Sequence, residues 1–92
     1  MLKHNSYFEG QVQSIGFTRN GRSQTAGVIG VGAYHFNTDS AERMTIVSGE
    51  LKVVLPGQAA HVYPAGTSFE VPGKSAFEVE AAAPVAYLCE FL

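Results

Sequence analysis

Hydrophobic and polar positions alternate with a period of two through most of this chain, which is how a half-buried strand reads. Phe36 and Thr38 share one face, as do Glu42, Met44, Ile46 and Ser48, and Ser75, Phe77 and Val79. The segments between glycine- and proline-bearing breaks are rich in Val, Ile, Thr, Phe and Tyr. They predict strands at Gln11–Thr18, Ser23–Val31, Ala33–Thr38, Glu42–Ser48, Glu50–Leu55, Ala60–Tyr63, Ser68–Val71, Ser75–Glu80 and Ala86–Phe91. Asn5–Glu9 alone reads differently: Asn5 or Ser6 can cap a short helical turn, which Gly10 ends. Asn20-Gly21 is the dipeptide that best tolerates a type I′ hairpin turn, so the two strands around it pair. Pro56-Gly57 and Pro72-Gly73 each end a strand, because proline cannot donate to a ladder.

Short strands with no helix to cover a sheet face leave a sandwich or a small barrel as the ways to bury one side of each strand. The fold class is therefore all-β, one domain over residues 1–92 with two opposed antiparallel sheets. Ile46-Val47 and Val53-Val54-Leu55 put apolar groups on both faces of their strands. That implies a second packing surface, across the sandwich or across a subunit boundary, and a homodimer is expected.

Composition narrows the function classes. Hydrophobic residues are 46% of the chain and charged residues 15%, a balance that disordered chains do not show. Eight acidic against six basic side chains give a formal charge of -2, which offers no grip on a polyphosphate backbone, so a nucleic-acid polymer is not an expected partner. No apolar run reaches the roughly 20 residues of a membrane helix, and no membrane partner is expected. The single cysteine, Cys89, has no partner for an internal disulfide, and a cytoplasmic location is expected.

Spacing adds fold information. From Gly30 the chain runs Gly-X5-Phe36-X-Thr38-X3-Glu42-X6-Gly49, and from Gly66 it runs Gly-X5-Pro72-Gly73-X3-Phe77. These intervals resemble the two motifs of the cupin superfamily of small antiparallel barrels, in which the first motif has His-X-His where Phe36 and Thr38 stand. The second motif has its histidine near Phe77. Three histidines are thus replaced while the glutamate, the glycines and the proline remain. A lone glutamate does not hold a transition metal, which needs three or four converging ligands, so a barrel without a metal is expected.

Four fragments narrow the resemblance: Tyr7-Phe8-X-Gly10-X-Val12-X-Ser14-Ile15-Gly16-Phe17, Glu42-X-Met44-Thr45-X2-Ser48-Gly49-X-Leu51, Val71-Pro72-Gly73-X-Ser75-X-Phe77, and Tyr87-Leu88-Cys89. In this order and over nearly the whole chain they resemble the pyrimidine/purine nucleoside phosphorylase family of one-domain cupins. The resemblance implies phosphorolysis of purine and pyrimidine nucleosides to free base and ribose 1-phosphate. Nucleoside and inorganic phosphate are then the partners, phosphate as co-substrate, with no other cofactor.

Such chemistry passes through a cationic sugar and needs three supports. A phosphate dianion needs cations or N–H donors, the sugar charge needs a carboxylate, and the departing base needs hydrogen bonds. Glu42 is the candidate carboxylate, since the motif spacing aims it into the barrel. Phe36, Phe77 and Tyr87 share an inward register and can stack a base of either kind, with Thr38 beside them as a hydroxyl donor. Arg19 and Arg22 flank the Asn20-Gly21 turn and are the candidate phosphate grip, whereas Arg43 has the opposite parity to Glu42. His35 has the opposite parity to Phe36 and is expected to face outward, and Cys89 reads as a small buried hydrophobe with no base adjacent. The same cavity would also serve a non-catalytic sugar- or nucleotide-binding barrel, and a packed interior would make the chain a structural dimer.

Overall fold

The structure, a computed structural model, describes residues 1–92. Ten strands follow one another: β1 (Lys3–Tyr7), β2 (Val12–Arg19), β3 (Arg22–Ile29), β4 (Gly32–Thr38), β5 (Glu42–Ser48), β6 (Glu50–Val54), β7 (His61–Pro64), β8 (Ser68–Val71), β9 (Ser75–Ala81) and β10 (Val85–Phe91). They form a six-stranded sheet in the order β1-β2-β3-β10-β5-β8 and a four-stranded sheet in the order β4-β9-β6-β7. Every pairing is antiparallel. No helix is long and apolar enough to cross a membrane.

The expected strands are present, and β1 is added where a helical turn was expected at Asn5–Glu9. A helix cap is worth about 1 kcal/mol. Against it, pairing from Lys3↔Gly16 to Tyr7↔Val12 gives Asn5, Ser6 and Tyr7 ladder partners on β2 and leaves Phe8 and Glu9 in the turn. Polar, exposed residues with no apolar period can still form a strand when a neighbour offers the edge. The turn that follows is unusual, since Phe8, Glu9 and Gly10 all have positive φ, at 52°, 56° and 84°. Backbone bonds from Gly10 N to Tyr7 O and from Gln11 N to Phe8 O, both 3.1 Å, hold it.

The hairpin at Asn20-Gly21 has φ of 52° and 74°, the pair of positive angles a type I′ turn demands, and Arg19 faces Arg22 as its closing pair. Between the sheets lies one hydrophobic core. Val12, Ile29, Ile46, Leu51, Val53, Val71 and Val85 are almost wholly removed from water. An aromatic row continues this core, with Phe36 on Phe77 at 5.5 Å between ring centroids, Phe77 on Phe69 at 6.1 Å and Phe69 on Tyr63 at 4.7 Å.

Candidate active site

The two sheets do not close equally. Toward β6, β7, β8 and the Ile46 end of β5 the interior is packed, while between the edge strands β1 and β4 it stays open. A cavity of about 740 Å³ occupies this seam, lined by Tyr7, Phe8, Val12, Ser14, Thr25, Phe36, Glu42, Met44, Tyr87, Cys89 and Phe91, with His35, Asn37, Asp39 and Ser40 at its rim. Its walls differ in chemistry.

The six-stranded sheet supplies a polar wall. Ser14, Gly27 and Tyr87 lie side by side in register across β2, β3 and β10, and Gly16, Thr25, Cys89 and Met44 form the next row across β2, β3, β10 and β5. Glu42 follows Met44 on the same face by strand alternation. Asn5 Nδ2 donates to Ser14 Oγ at 3.4 Å, which ties the edge strand to the cavity floor. Gly27 makes room for an aromatic ring: a Cβ there would stand 2.7 Å from the Tyr87 ring and hydroxyl, and 2.7 Å from the Gln13 carbonyl.

Burial sets the protonation of this wall. It pushes the Glu42 carboxyl above the usual carboxylate range, and the Cys89 thiol, donating to that carboxylate, pulls part of the way back. The thiol is itself pushed up to about 12, first by burial and then by the adjacent Glu42 charge and that hydrogen bond. Tyr87 is pushed up to about 12, chiefly by burial, with Cys89 beside it adding to the shift and Ser14 opposing it. Cys89 and Tyr87 are therefore neutral donors near pH 7, and Glu42 is a partly shielded carboxylate at the rim end of the wall.

Across the cavity stands an aromatic wall. Phe8, carried on the strained turn after β1, lies 5.0 Å from Tyr34 and 5.8 Å edge-on to Phe36. Tyr34 is fixed from behind by its hydroxyl, which donates to the Val31 carbonyl at 2.8 Å. The seam is thus bridged at one end by rings and open at the other.

The structure brings Glu42, Phe36 and Tyr87 together around this cavity. It does not bring the other four sequence candidates there. Thr38 is buried in the wall, its hydroxyl donating to the Pro72 carbonyl at 2.7 Å and accepting from the Ser75 N–H at 3.0 Å, so both of its roles serve the corner after β8. Phe77 is 4% exposed and packed between Phe36 and Phe69, where a substrate has no access. Arg19 and Arg22 sit at the exposed tip of the β2–β3 hairpin and do not line the cavity. Arg43 faces out and pairs with Glu70 at 3.3 Å and Glu90 at 3.7 Å. His35 is exposed and pairs with Glu78 at 3.4 Å.

Sequence reasoning missed Phe8, Ser14, Thr25 and the role of Cys89. The thiol does have a base beside it, but that base arrives from a neighbouring strand, 47 positions away in the chain by subtraction of 42 from 89. No group of three or more His, Cys, Asp or Glu side chains converges in a way that could hold a metal ion.

Comparisons with known proteins agree with this architecture. A cupin superfamily protein from Desulfitobacterium hafniense superposes with a TM-score of 0.74 at 13% identity, covering 98% of this chain and 82% of its own, which establishes the cupin fold. A protein of unknown function from Vibrio parahaemolyticus superposes with a TM-score of 0.96 at 45% identity, over 100% of this chain and 99% of its own. A pyrimidine/purine nucleoside phosphorylase from an Anaeromyxobacter species is 67% identical over 93 aligned positions, covering 100% of this chain and 89% of the relative. The family described as pyrimidine/purine nucleoside phosphorylase matches residues 2–91, which includes both cavity walls, and to that family this chain belongs.

Proposed function

We propose that the protein catalyses the phosphorolysis of purine and pyrimidine nucleosides to free base and ribose 1-phosphate, without a metal or other cofactor, in a reducing cytoplasm that keeps Cys89 a thiol. One observation supports this beyond family membership: a single cavity sets a carboxylate and hydroxyl donors against a wall of aromatic rings. A nucleoside has the matching two halves. The ribose faces Glu42, Thr25, Ser14 and Tyr87, while the base lies against Phe8 and Phe36, whose stacking does not distinguish a purine from a pyrimidine.

The chemistry follows from the placement. As the bond from sugar to base lengthens, positive charge grows on the anomeric carbon, and the Glu42 carboxylate stabilises it at close range in a shielded site. Cys89, by donating to Glu42, holds the carboxylate oriented and ionised, and acts as a positioning residue. Phosphate attacks the anomeric carbon as the base leaves with the bonding electrons, so one C–N bond is exchanged for one C–O bond, and the proton that hydrogen phosphate gives up ends on the departing base. Holding the reactants in line accounts for much of the acceleration.

One feature favours a non-catalytic nucleoside binder instead: the cavity lining contains no lysine or arginine to meet a phosphate dianion. The two readings separate in one experiment. Purified protein is incubated with uridine or adenosine, with and without phosphate, and base is resolved from nucleoside. Phosphate-dependent release of both bases is the expected result. Binding of nucleoside with no release would establish the binder.

A further inference from the structure

The phosphorolysis reading leaves a dianion to be bound beside a cavity that carries Glu42 and Asp39 and no lysine or arginine. Four of the chain's six basic side chains are accounted for elsewhere or poorly placed. Arg43 is taken by Glu70 and Glu90 on the outer face, and Lys52 by Glu80 at 3.6 Å on the other sheet. Lys74 belongs to the corner after Pro72-Gly73, where its φ is 51°. Lys3 shares the register of Asn5 and Tyr7 on β1 but does not reach the lining. Arg19 and Arg22 remain, and neither has an acidic partner within 4.0 Å.

Their direction follows from the register. Ser14 and Thr25 face the cavity, so alternation puts Arg19 and Arg22 on the opposite, outer face of the same two strands. They therefore turn away from their own cavity. They also stand on an overhang. β1 pairs with β2 no farther than Gly16, and β10 pairs with β3 no farther than Gln24, so Phe17–Ser23 projects as a two-stranded ribbon with no neighbour on either side. The projection leaves the barrel at the end where Phe91 and Glu42 pair, next to the cavity rim at Asp39 and Ser40. An isolated ribbon of this kind is marginal without something to pack on.

On the outer face a polar row of Gln24, Glu90, Arg43 and Glu70 lies next to the arginines, and an apolar patch lies beyond it. Ile15, Ala26 and Leu88 line up in one cross-strand row and Val28 lies in the next, with Val47 nearby, and Ile15, Val28 and Val47 are 39%, 49% and 62% exposed. One surface of the chain thus offers two unpaired arginines beside an apolar patch, and the cavity with Glu42 and Asp39 offers no lysine or arginine. The two are complementary to each other and belong to the same molecule, which makes a second copy the occupant.

We infer that two copies pack through this outer face and that the β2–β3 ribbon of each one delivers Arg19 and Arg22 to the phosphate position of the other's cavity. The active site is then composite: Glu42 and the aromatic wall from one chain, and the phosphate grip from its partner. Guanidinium groups suit the task because their planar fork binds two phosphate oxygens at once.

Complementation between two defective variants tests this. Glu42→Gln and the double change Arg19→Ala, Arg22→Ala are prepared separately, then co-refolded in equal amounts. In a hybrid dimer one of the two sites has both its glutamate and its arginines. Assayed at phosphate well below the wild-type KM, where each variant alone is defective, the mixture recovers about one quarter of wild-type phosphorolysis, since about half of the dimers are hybrids with one intact site each. The arginine variant by itself shows a phosphate KM raised at least tenfold with kcat less affected, and Lys3→Ala shows neither change. No recovery in the mixture, a normal phosphate KM in the arginine variant, or a wild-type enzyme that sediments as a monomer while turning over would each overturn the inference. A wild-type protein with no phosphorolysis at all would instead remove the reading on which the inference rests.

Discussion

The two halves of the sandwich follow the same alternation rule and spend it differently. On the side of β6 to β8 and the Ile46 end of β5, inward positions are Leu51, Val53, Ile46, Phe69 and Val71, all 6% exposed or less, and the two sheets meet in a packed core. On the side of β1 and β4, which takes in the Glu42 end of β5, inward positions include Ser14, Thr25, Glu42 and Tyr87, and a cavity separates the sheets. Dry packing stabilises the first half, whereas the second keeps a partly buried carboxylate that works against stability. Stability and chemistry are thus segregated within a single core, and substitutions in the two halves should have opposite signatures.

The largest effect is expected in the packed half. Leu51→Ala removes a side chain with no exposure and leaves a hole among its neighbours, so unfolding free energy falls by about 2 to 5 kcal/mol while activity per folded molecule is kept. Urea unfolding alongside kinetics checks it, and a variant that lost turnover without losing stability would erase the division. Glu42→Gln is its mirror. It keeps shape and deletes charge, and kcat falls by roughly tenfold to a thousandfold, the range for an interaction made chiefly in the transition state.

The same substitution carries a sign that pH reveals. Because burial raises the folded-state pKa of Glu42, the ionised form is disfavoured in the native protein, and that penalty is present above the raised value and gone below the ordinary one near 4.5. The glutamine variant therefore melts no lower than wild type at pH 7. Any advantage it has there disappears as pH falls toward 4. Thermal melts at the two pH values decide this, and a Tm lower at pH 7 would show that Glu42 is held by favourable contacts that outweigh its burial.

Smaller effects sharpen the boundary between the walls. Gly27→Ala forces a methyl to 2.7 Å from both the Tyr87 ring and the Gln13 carbonyl, which costs about 1 to 3 kcal/mol and displaces the ring from the cavity floor. Phe8→Ala trims the aromatic wall at its exposed end, and KM for uridine and adenosine rises together, by about fivefold or more each, if stacking is the grip. A rise for one nucleoside alone would point to recognition of a base edge. Least of all should happen at Cys89: with its thiol near 12 and 3% exposed, it resists a thiol-specific alkylating reagent at pH 8 until the protein is denatured.

What could be read from the sequence was what depends on near neighbours. Asn20-Gly21 announces its own turn, and Phe36 and Glu42 advertise their faces by parity. The motif spacing around them carried the barrel as well. What could not be read depends on which strand lies alongside. β1 exists because β2 offers an edge, not because His4, Asn5 and Ser6 favour extension. Thr38 has the inward parity of a ligand-binding residue, yet its hydroxyl is consumed by Pro72 and Ser75, 34 and 37 positions on. Arg19 and Arg22 were legible as phosphate ligands by type, but the face on which they lie follows from counting register outward from Ser14 and Thr25.

The turn that carries Phe8 has a consequence for how this protein can change. Phe8 and Glu9, the two left-handed residues that are not glycine, store backbone strain outside the ladder, in a connection that contributes no residue to the buried core. Substrate range and foldability are therefore separable traits. Variation at Phe8 and Glu9 reshapes the entrance over the base without touching a buried strand, and Glu9→Gly relieves one strained position at little expense. A laboratory selection for altered base preference should accumulate its first changes in this short loop, long before any inward-facing position of the barrel admits one.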